Sequence, residues 1–176
     1  MAQTDLRKYG TEERLGKMDL DLIDVTVDLG TGALVDGDLF FDTTPIPYAV
    51  SVPGGTGLLH SISAIVNSAG GDETANFDIV LTSNSTSIKG DGGQDIADPV
   101  SGMNADLSVL KGTCGIASIT NLIDAGVAAI GNASNIGIVG KAESDSTTLY
   151  CYGIARGGVT YATSPTLTLR FGIVKD

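Results

Sequence analysis

The stretch Thr166–Val174, TLTLRFGIV, decides the fold class of this chain. Large apolar residues occupy every second position, namely Leu167, Leu169, Phe171 and Ile173, and Thr166, Thr168 and Arg170 lie between them. This spacing of two residues predicts a β-strand with one face towards a core and one towards water. A strand with one wet face is typical of antiparallel sheets, because helices cover both sides of most parallel sheets.

Short runs of the same kind recur from Leu20 onward, each bounded by Gly, Asp, Asn or Pro. The predicted strands are Leu22–Asp28, Asp38–Asp42, Tyr48–Val52, Leu58–Asn67, Asn76–Ser83, Gly115–Leu122, Ile136–Val139, Thr147–Ala155 and Thr166–Val174. The 24 glycines, against 10 Lys and Arg, also indicate a turn-rich β protein. We therefore predict an all-β fold, an antiparallel two-sheet β-sandwich, with a jelly roll as one form of it.

The 176 residues fit one domain with an extension. We predict an irregular N-terminal arm over residues 1–18 and a single β-sandwich domain over 19–176. The arm has almost no apolar periodicity, and it is either a mobile tail or a segment that orders on a neighbouring subunit. In the second case its candidate contact residues, towards the capsid or a neighbour, are Leu6, Arg7, Lys8, Tyr9, Arg14, Leu15 and Lys17.

Two further segments are predicted to be irregular. Lys89–Lys111 has many breakers and no sustained period, which favours a short helix, a lid or an interface loop. Ala128–Ser134, AAIGNAS, is predicted to be a surface turn.

The charge excludes some classes of partner. The net charge is −11 and the pI about 4.2, whereas a nucleic-acid binder needs a basic face. No apolar run approaches the roughly 20 residues of a membrane span, and the N-terminus has no apolar signal-peptide core. We expect a protein that is made in a bacterial cytoplasm and binds neither nucleic acid nor membrane.

The sequence contains no recognisable catalytic motif. His60 is the only histidine, and its strand parity with Ile62, Ala64 and Val66 predicts a structural residue directed towards the core or a subunit seam. No serine lies in a GxSxG elbow, and neither phosphate-binding glycine pattern occurs. We predict that the protein is not an enzyme, has no catalytic residue and needs no cofactor.

The two cysteines, Cys114 and Cys151, have neither metal-knuckle nor redox spacing. Two buried, inert thiols are the expectation in a reducing cytoplasm, and a disulfide formed later in a released particle is the alternative.

Acidic and aromatic residues are the candidates for ligand-binding sites. A loop with Asp91, Asp95 and Asp98 could offer oxygens to calcium, but clustered Asp is also ordinary turn chemistry. Further acids group at Asp19, Asp21 and Asp24 and at Asp36 and Asp38. Tyr150 and Tyr152 share a strand face and form either a buried or interface pair or a small sugar-binding platform. We predict no metal site.

Several stretches together resemble the small head proteins of tailed bacteriophages, of the decoration or cement type. These are GDLFFDTTPIPYAVSVPGGTGLLHSISAIVNS from Gly37, NFDIVLTSNST from Asn76, DLSVLKGTCGIASI from Asp106 and TTLYCYGIARGGVTYATSPTLTLRFGIVKD from Thr147. The resemblance covers most of residues 36–176 and leaves out the arm.

The resemblance implies a compact β-sandwich without an active site. It implies a homo-oligomer, a trimer above all, on the outer capsid surface of the virion, which bridges subunits of the phage major capsid protein and so cements the shell. The alternative function is a β-sandwich module that binds a host glycan or receptor. Exposed aromatic residues or a calcium-organised pocket would favour that alternative.

Overall fold

The computed structural model describes residues 20–29, 32–67, 76–87, 112–120, 123–124, 128–161 and 165–175. All regular elements in these residues are strands, which confirms the all-β prediction. In chain order they are β1 (Leu20–Asp28), β2 (Gly32–Leu34), β3 (Leu39–Ile46), β4 (Thr56–Asn67), β5 (Asn76–Thr82), β6 (Thr113–Ile119), β7 (Ile123–Asp124), β8 (Ala128–Lys141), β9 (Leu149–Arg156), β10 (Val159–Tyr161) and β11 (Thr166–Lys175). No helix able to cross a membrane occurs in the described part of the chain.

The strands form two antiparallel main sheets. The five-stranded sheet has the order β1-β11-β4-β8-β7, and the four-stranded sheet has the order β3-β9-β5-β6. A small pair, β10-β2, completes the structure. The chain passes repeatedly between the sheets, and β11 returns to lie between β1 and β4. Two sheets interleaved in this way form a jelly roll, so the predicted two-sheet sandwich is confirmed in its jelly-roll form.

The core lies between the two main sheets. The strand that decided the fold class behaves as its alternation predicts, because Leu167, Leu169 and Phe171 are all fully buried. On the opposite sheet, Phe77 stacks on Phe40 with ring centroids 4.6 Å apart. Each such side chain contributes about 1.5–3 kcal/mol by leaving water, so the aromatic cluster is a main source of stability.

Two local predictions were wrong. Tyr48–Val52 is a turn, in which Tyr48 has a positive φ of 55° and the amide of Val50 donates to the Thr147 carbonyl. Ala49 and Val50 are buried in the core without joining a ladder, whereas Tyr48 and Val52 are exposed. Ala128–Ser134 belongs to β8 and pairs with β4 along its length. This part of β8 consists mostly of small residues. Its sequence therefore lacks the large apolar residues at every second position that predict a strand.

His60 does not point towards the core, one of the two orientations predicted for it, because β4 contains a β-bulge. The other orientation, towards a subunit seam, stays a prediction. Leu59 pairs with Ile173 and Ser61 with the adjacent Gly172, which leaves His60 as the extra residue. The bulge reverses the strand parity, so Leu59 joins Ile62 on the core side and His60 is exposed.

Candidate interaction surface

The face of the five-stranded sheet that points away from the core is here called the outer face. Six of the ten large hydrophobic residues that are exposed in the described part of the chain lie on it, namely Leu20, Leu22, Ile65, Ile123, Ile130 and Val139. Scattered single apolar residues are normal on a surface, whereas a contiguous set indicates an interface. The pairing register decides which of the two this face carries.

One apolar row crosses four strands near the sheet end from which the chain enters β1. Leu20 pairs with Val174 and Val174 with Leu58. Leu58 pairs in turn with Val139, which is 60% exposed. Paired residues stand about 5 Å apart on the same face, so these four side chains are contiguous. We call them the end row.

A second apolar row crosses three strands. Ile65 of β4 pairs with Ile130 of β8, and Ile130 pairs with Ile123 of β7. All three isoleucines are exposed, Ile123 by 72%. We call them the isoleucine row. Six residues of β11 separate the register positions of the two rows, Val174 and Thr168, which corresponds to about 20 Å.

Small polar residues, the exposed Leu22 and one ion pair lie between the rows. Arg170 donates from Nε and Nη2 to the two oxygens of Asp24, at 2.7 and 2.8 Å. This bidentate contact lowers the pKa of Asp24 and raises that of Arg170. Both side chains are about half exposed, so the pair contributes little to stability. Its main effect is to cancel two charges between the rows, at the β1 side of the outer face.

The outer face is electrically neutral although the chain is strongly acidic. By strand parity, the charged residues whose side chains belong to it are Asp24, Asp28, Lys141 and Arg170. Among the strand residues that the structure describes, two acids and two bases balance there, against a net charge of −11 for the whole chain.

The outward side of the four-stranded sheet differs in character. Leu39, Val80 and Tyr152 form a second buried cluster on that side. Beside it Asp78, nearly buried, accepts hydrogen bonds from Ser118 Oγ and Arg156 Nε, both at 2.6 Å. The hydrogen bond that Arg156 donates to Asp78 raises the pKa of Arg156. These polar groups satisfy one another.

The aromatic platform considered for Tyr150 and Tyr152 is not formed. Tyr152 is only 2% exposed, and its burial raises the pKa of the phenol against an opposing hydrogen bond with Thr113. Tyr150 is half-buried on the same strand. The alternative interpretation, a buried pair, fits Tyr152.

Several acidic groups within the described ranges make structural contacts. Asp21 forms an ion pair with Lys175, and the carboxylate of Asp38 accepts from the amide of Val35 at 2.6 Å. No group of three or more His, Cys, Asp or Glu side chains converges as metal ligands in this part of the chain. Asp19, Asp91, Asp95 and Asp98 lie outside the described residues.

The predicted arm, residues 1–18, also lies outside them, and with it all seven candidate contact residues. The same holds for the segment Lys89–Lys111. These predictions therefore stay predictions.

The register separates the two cysteines. Leu81 of β5 pairs with Cys151 on one side and with Gly115, the neighbour of Cys114, on the other. Two strand spacings amount to about 9–10 Å, beyond the roughly 7 Å between Cα atoms that a disulfide spans. Both thiols are free. Burial raises the pKa of Cys151, whereas Cys114 is only partly buried.

No family model and no curated protein matches the chain. Among solved structures, it is similar to a chain of the capsid of Ralstonia phage GP4, with 18% identity, a TM-score of 0.40 and coverage of 90% of this chain and 85% of that chain. A chain of the semi-empty virus-like particle of the Macrobrachium rosenbergii nodavirus is 11% identical, with a TM-score of 0.32 and coverage of 88% and 92%. A chain of Tomato Aspermy Virus is 8% identical, with a TM-score of 0.34 and coverage of 100% and 83%. The fold assignment rests on the strand order and register of this chain itself.

Proposed function

We propose that this protein is a structural component of a bacteriophage virion that decorates and cements the capsid by bridging subunits of the major capsid protein. The observation that carries the proposal is the jelly-roll strand order, an architecture of viral capsid and lectin domains. The resemblance of residues 36–176 to phage head proteins supports the capsid over the lectin. The outer capsid surface is the proposed location, and the host cytoplasm is the site of synthesis.

The β-sandwich domain, here called the body, has physical properties that suit a cementing role. Buried residues from both sheets make it rigid, so it can transmit force between the subunits that it bridges. Its acidic charge limits non-specific aggregation of the free protein before assembly. A cement protein needs no catalytic group, and we propose that this protein is not an enzyme: His60, the only histidine, stands exposed in a bulge.

The arm is the proposed attachment segment. Arg7, Lys8, Arg14 and Lys17 are four of only ten basic residues in the chain, so the arm is attracted to the acidic body of an adjacent copy. Fully extended, eighteen residues span about 60 Å, enough to reach a neighbouring subunit. The attraction between exposed charges is screened over about 8 Å at physiological salt, so we expect arm-mediated binding to weaken as salt rises.

The test is binding of the full chain to capsids that lack it. We expect saturation at a copy number commensurate with icosahedral symmetry and a higher force or temperature threshold for capsid rupture. No binding, or binding without added capsid stability, would contradict the proposed function.

The arm is tested separately with two matched variants. R14Q/K17Q removes two bases from the arm, whereas R14K/K17R exchanges the same two residues and keeps both charges. We expect only R14Q/K17Q to lower capsid occupancy and to flatten its salt dependence. Equal effects of the two variants would refute the arm as the attachment segment while leaving the cement function in place.

The second candidate function is binding of a host glycan or receptor. It is favoured by one observation, the exposed Tyr48 held at positive φ in the turn between β3 and β4, since strained and exposed aromatic residues occur in binding loops. Glycan-array binding that Tyr48→Ala abolishes would support this function instead.

A further inference from the structure

We infer that the outer face of the five-stranded sheet is the interface between two copies of this chain, which pack face to face about a twofold axis. The proposal is independent of the capsid function, because it rests on the geometry of the end row and the isoleucine row.

The charge of the outer face favours a second copy of this chain as its binding partner. Two molecules that each carry −11 repel one another, and the repulsion is weakest when the contact is made through a neutral surface. The described strand residues of the outer face include two acids and two bases, and the pair that lies between the rows, Asp24 and Arg170 at the β1 side, is already neutralised within one copy. A strongly charged partner gains nothing from such a face, whereas a second copy meets no unpaired charge between the rows.

Symmetry favours the same occupant. Twofold axes generate the commonest oligomers, and each places a surface against itself. An axis parallel to the strands sets each apolar row against its own counterpart. An axis parallel to the rows, midway between them, sets the end row of one copy on the isoleucine row of the other. In both arrangements apolar rows meet apolar rows, and the serines Ser61, Ser63 and Ser134 between them meet polar groups.

The area is sufficient for a specific pair. Nine residues along the strands and five strands across give a face of roughly 30 Å by 20 Å, or about 600 Å² per copy. A pair then buries about 1,200 Å², at the lower end of stable interfaces. We expect a dimer of moderate affinity, in place of the trimer that the family resemblance implies.

The test is the mass of the full chain by light scattering during size-exclusion chromatography at about 100 µM, far above the micromolar range expected for an interface of this size. Ile130→Lys and Val139→Lys each introduce a charge into one row. Ile116→Lys is the matched control, because Ile116 is 56% exposed, against 47% for Ile130, but lies on β6 of the other sheet. Thermal melts check that every variant folds.

We expect a mass of two 17.9 kDa chains for the wild type and for Ile116→Lys. Both row variants should give the mass of one chain while melting as cooperatively as the wild type. A wild-type mass of one or three chains, or dissociation by Ile116→Lys as well, would overturn the proposal. The wild type could instead be a monomer whose capsid binding is lost only in the row variants. That result would show that the outer face binds the capsid protein. It would overturn the proposed dimer and leave the proposed capsid function standing.

Discussion

Replacing Gly153 by alanine tests how tightly the sandwich interior is packed. Gly153 lies on β9, where it pairs with Phe41 of β3 and Ile79 of β5. A Cβ at this position would lie 2.4 Å from Cε1 and 2.5 Å from Cδ1 of Phe41. Non-bonded carbons prefer about 3.5–4.0 Å, so the ring would have to move by more than about 1 Å. Phe41 is fully buried, so a shift of its ring displaces neighbouring core side chains.

We expect Gly153→Ala to lower the free energy of unfolding by about 2–3 kcal/mol, as overpacking of a filled core does. For a domain of this size the melting temperature should fall by about 5–10 °C. Urea unfolding followed by circular dichroism measures the change, with the m-value as a check that the native state stays compact.

Two further variants test whether overpacking against Phe41 causes the expected loss of stability. Gly158→Ala is the matched control, because the nearest atom to its Cβ would be the Leu34 carbonyl oxygen at 3.7 Å, an ordinary contact; we expect a change of less than about 0.5–1 kcal/mol. Phe41→Leu removes the ring, so the double variant should lose less than the sum of the single losses. Equal stability of the two alanine variants, or simple additivity with Phe41→Leu, would refute the overpacking explanation.

Three smaller predictions follow from exposure and charge. His60→Gln should change the free energy of unfolding by less than about 0.5 kcal/mol in urea melts, because the bulge exposes the ring; a larger loss would mean that the ring has a packing role. A thiol reagent at pH 8 should modify Cys114 in the folded protein and Cys151 only after unfolding; prompt labelling of a Cys114→Ser variant would contradict this. Arg170 lowers the pKa of Asp24 from its ordinary 3.8, so the ion pair stabilises the fold above that pH and is lost as the pH falls through the lower, folded-state pKa. Asp24→Asn should therefore cost a small amount of stability at pH 7 and less as the pH falls below 3.8, and a loss that does not depend on pH would argue against the ion pair.

Local alternation was enough to determine the fold class. Thr166–Val174 and Asn76–Ser83 each show apolar residues at every second position, and both are strands in the structure at nearly the predicted bounds. Successive side chains of a strand point to opposite faces because of the backbone geometry, so the alternation can be detected in a segment without knowing which strands it pairs with. The strands β2, β7 and β10, of two or three residues, are too short to show a period.

The outer face depended on tertiary structure. Leu58 and Ile65 already showed, in the sequence, that β4 has apolar residues on both parities, but the bulge at His60 decides which of its residues face outward. Ile123, Ile130 and Val139 are distant from them along the chain. They join the two rows only through the register of β4 with β8 and of β8 with β7. Register is set by side-chain packing across strands and by bulges, which are long-range effects that no short window of sequence contains.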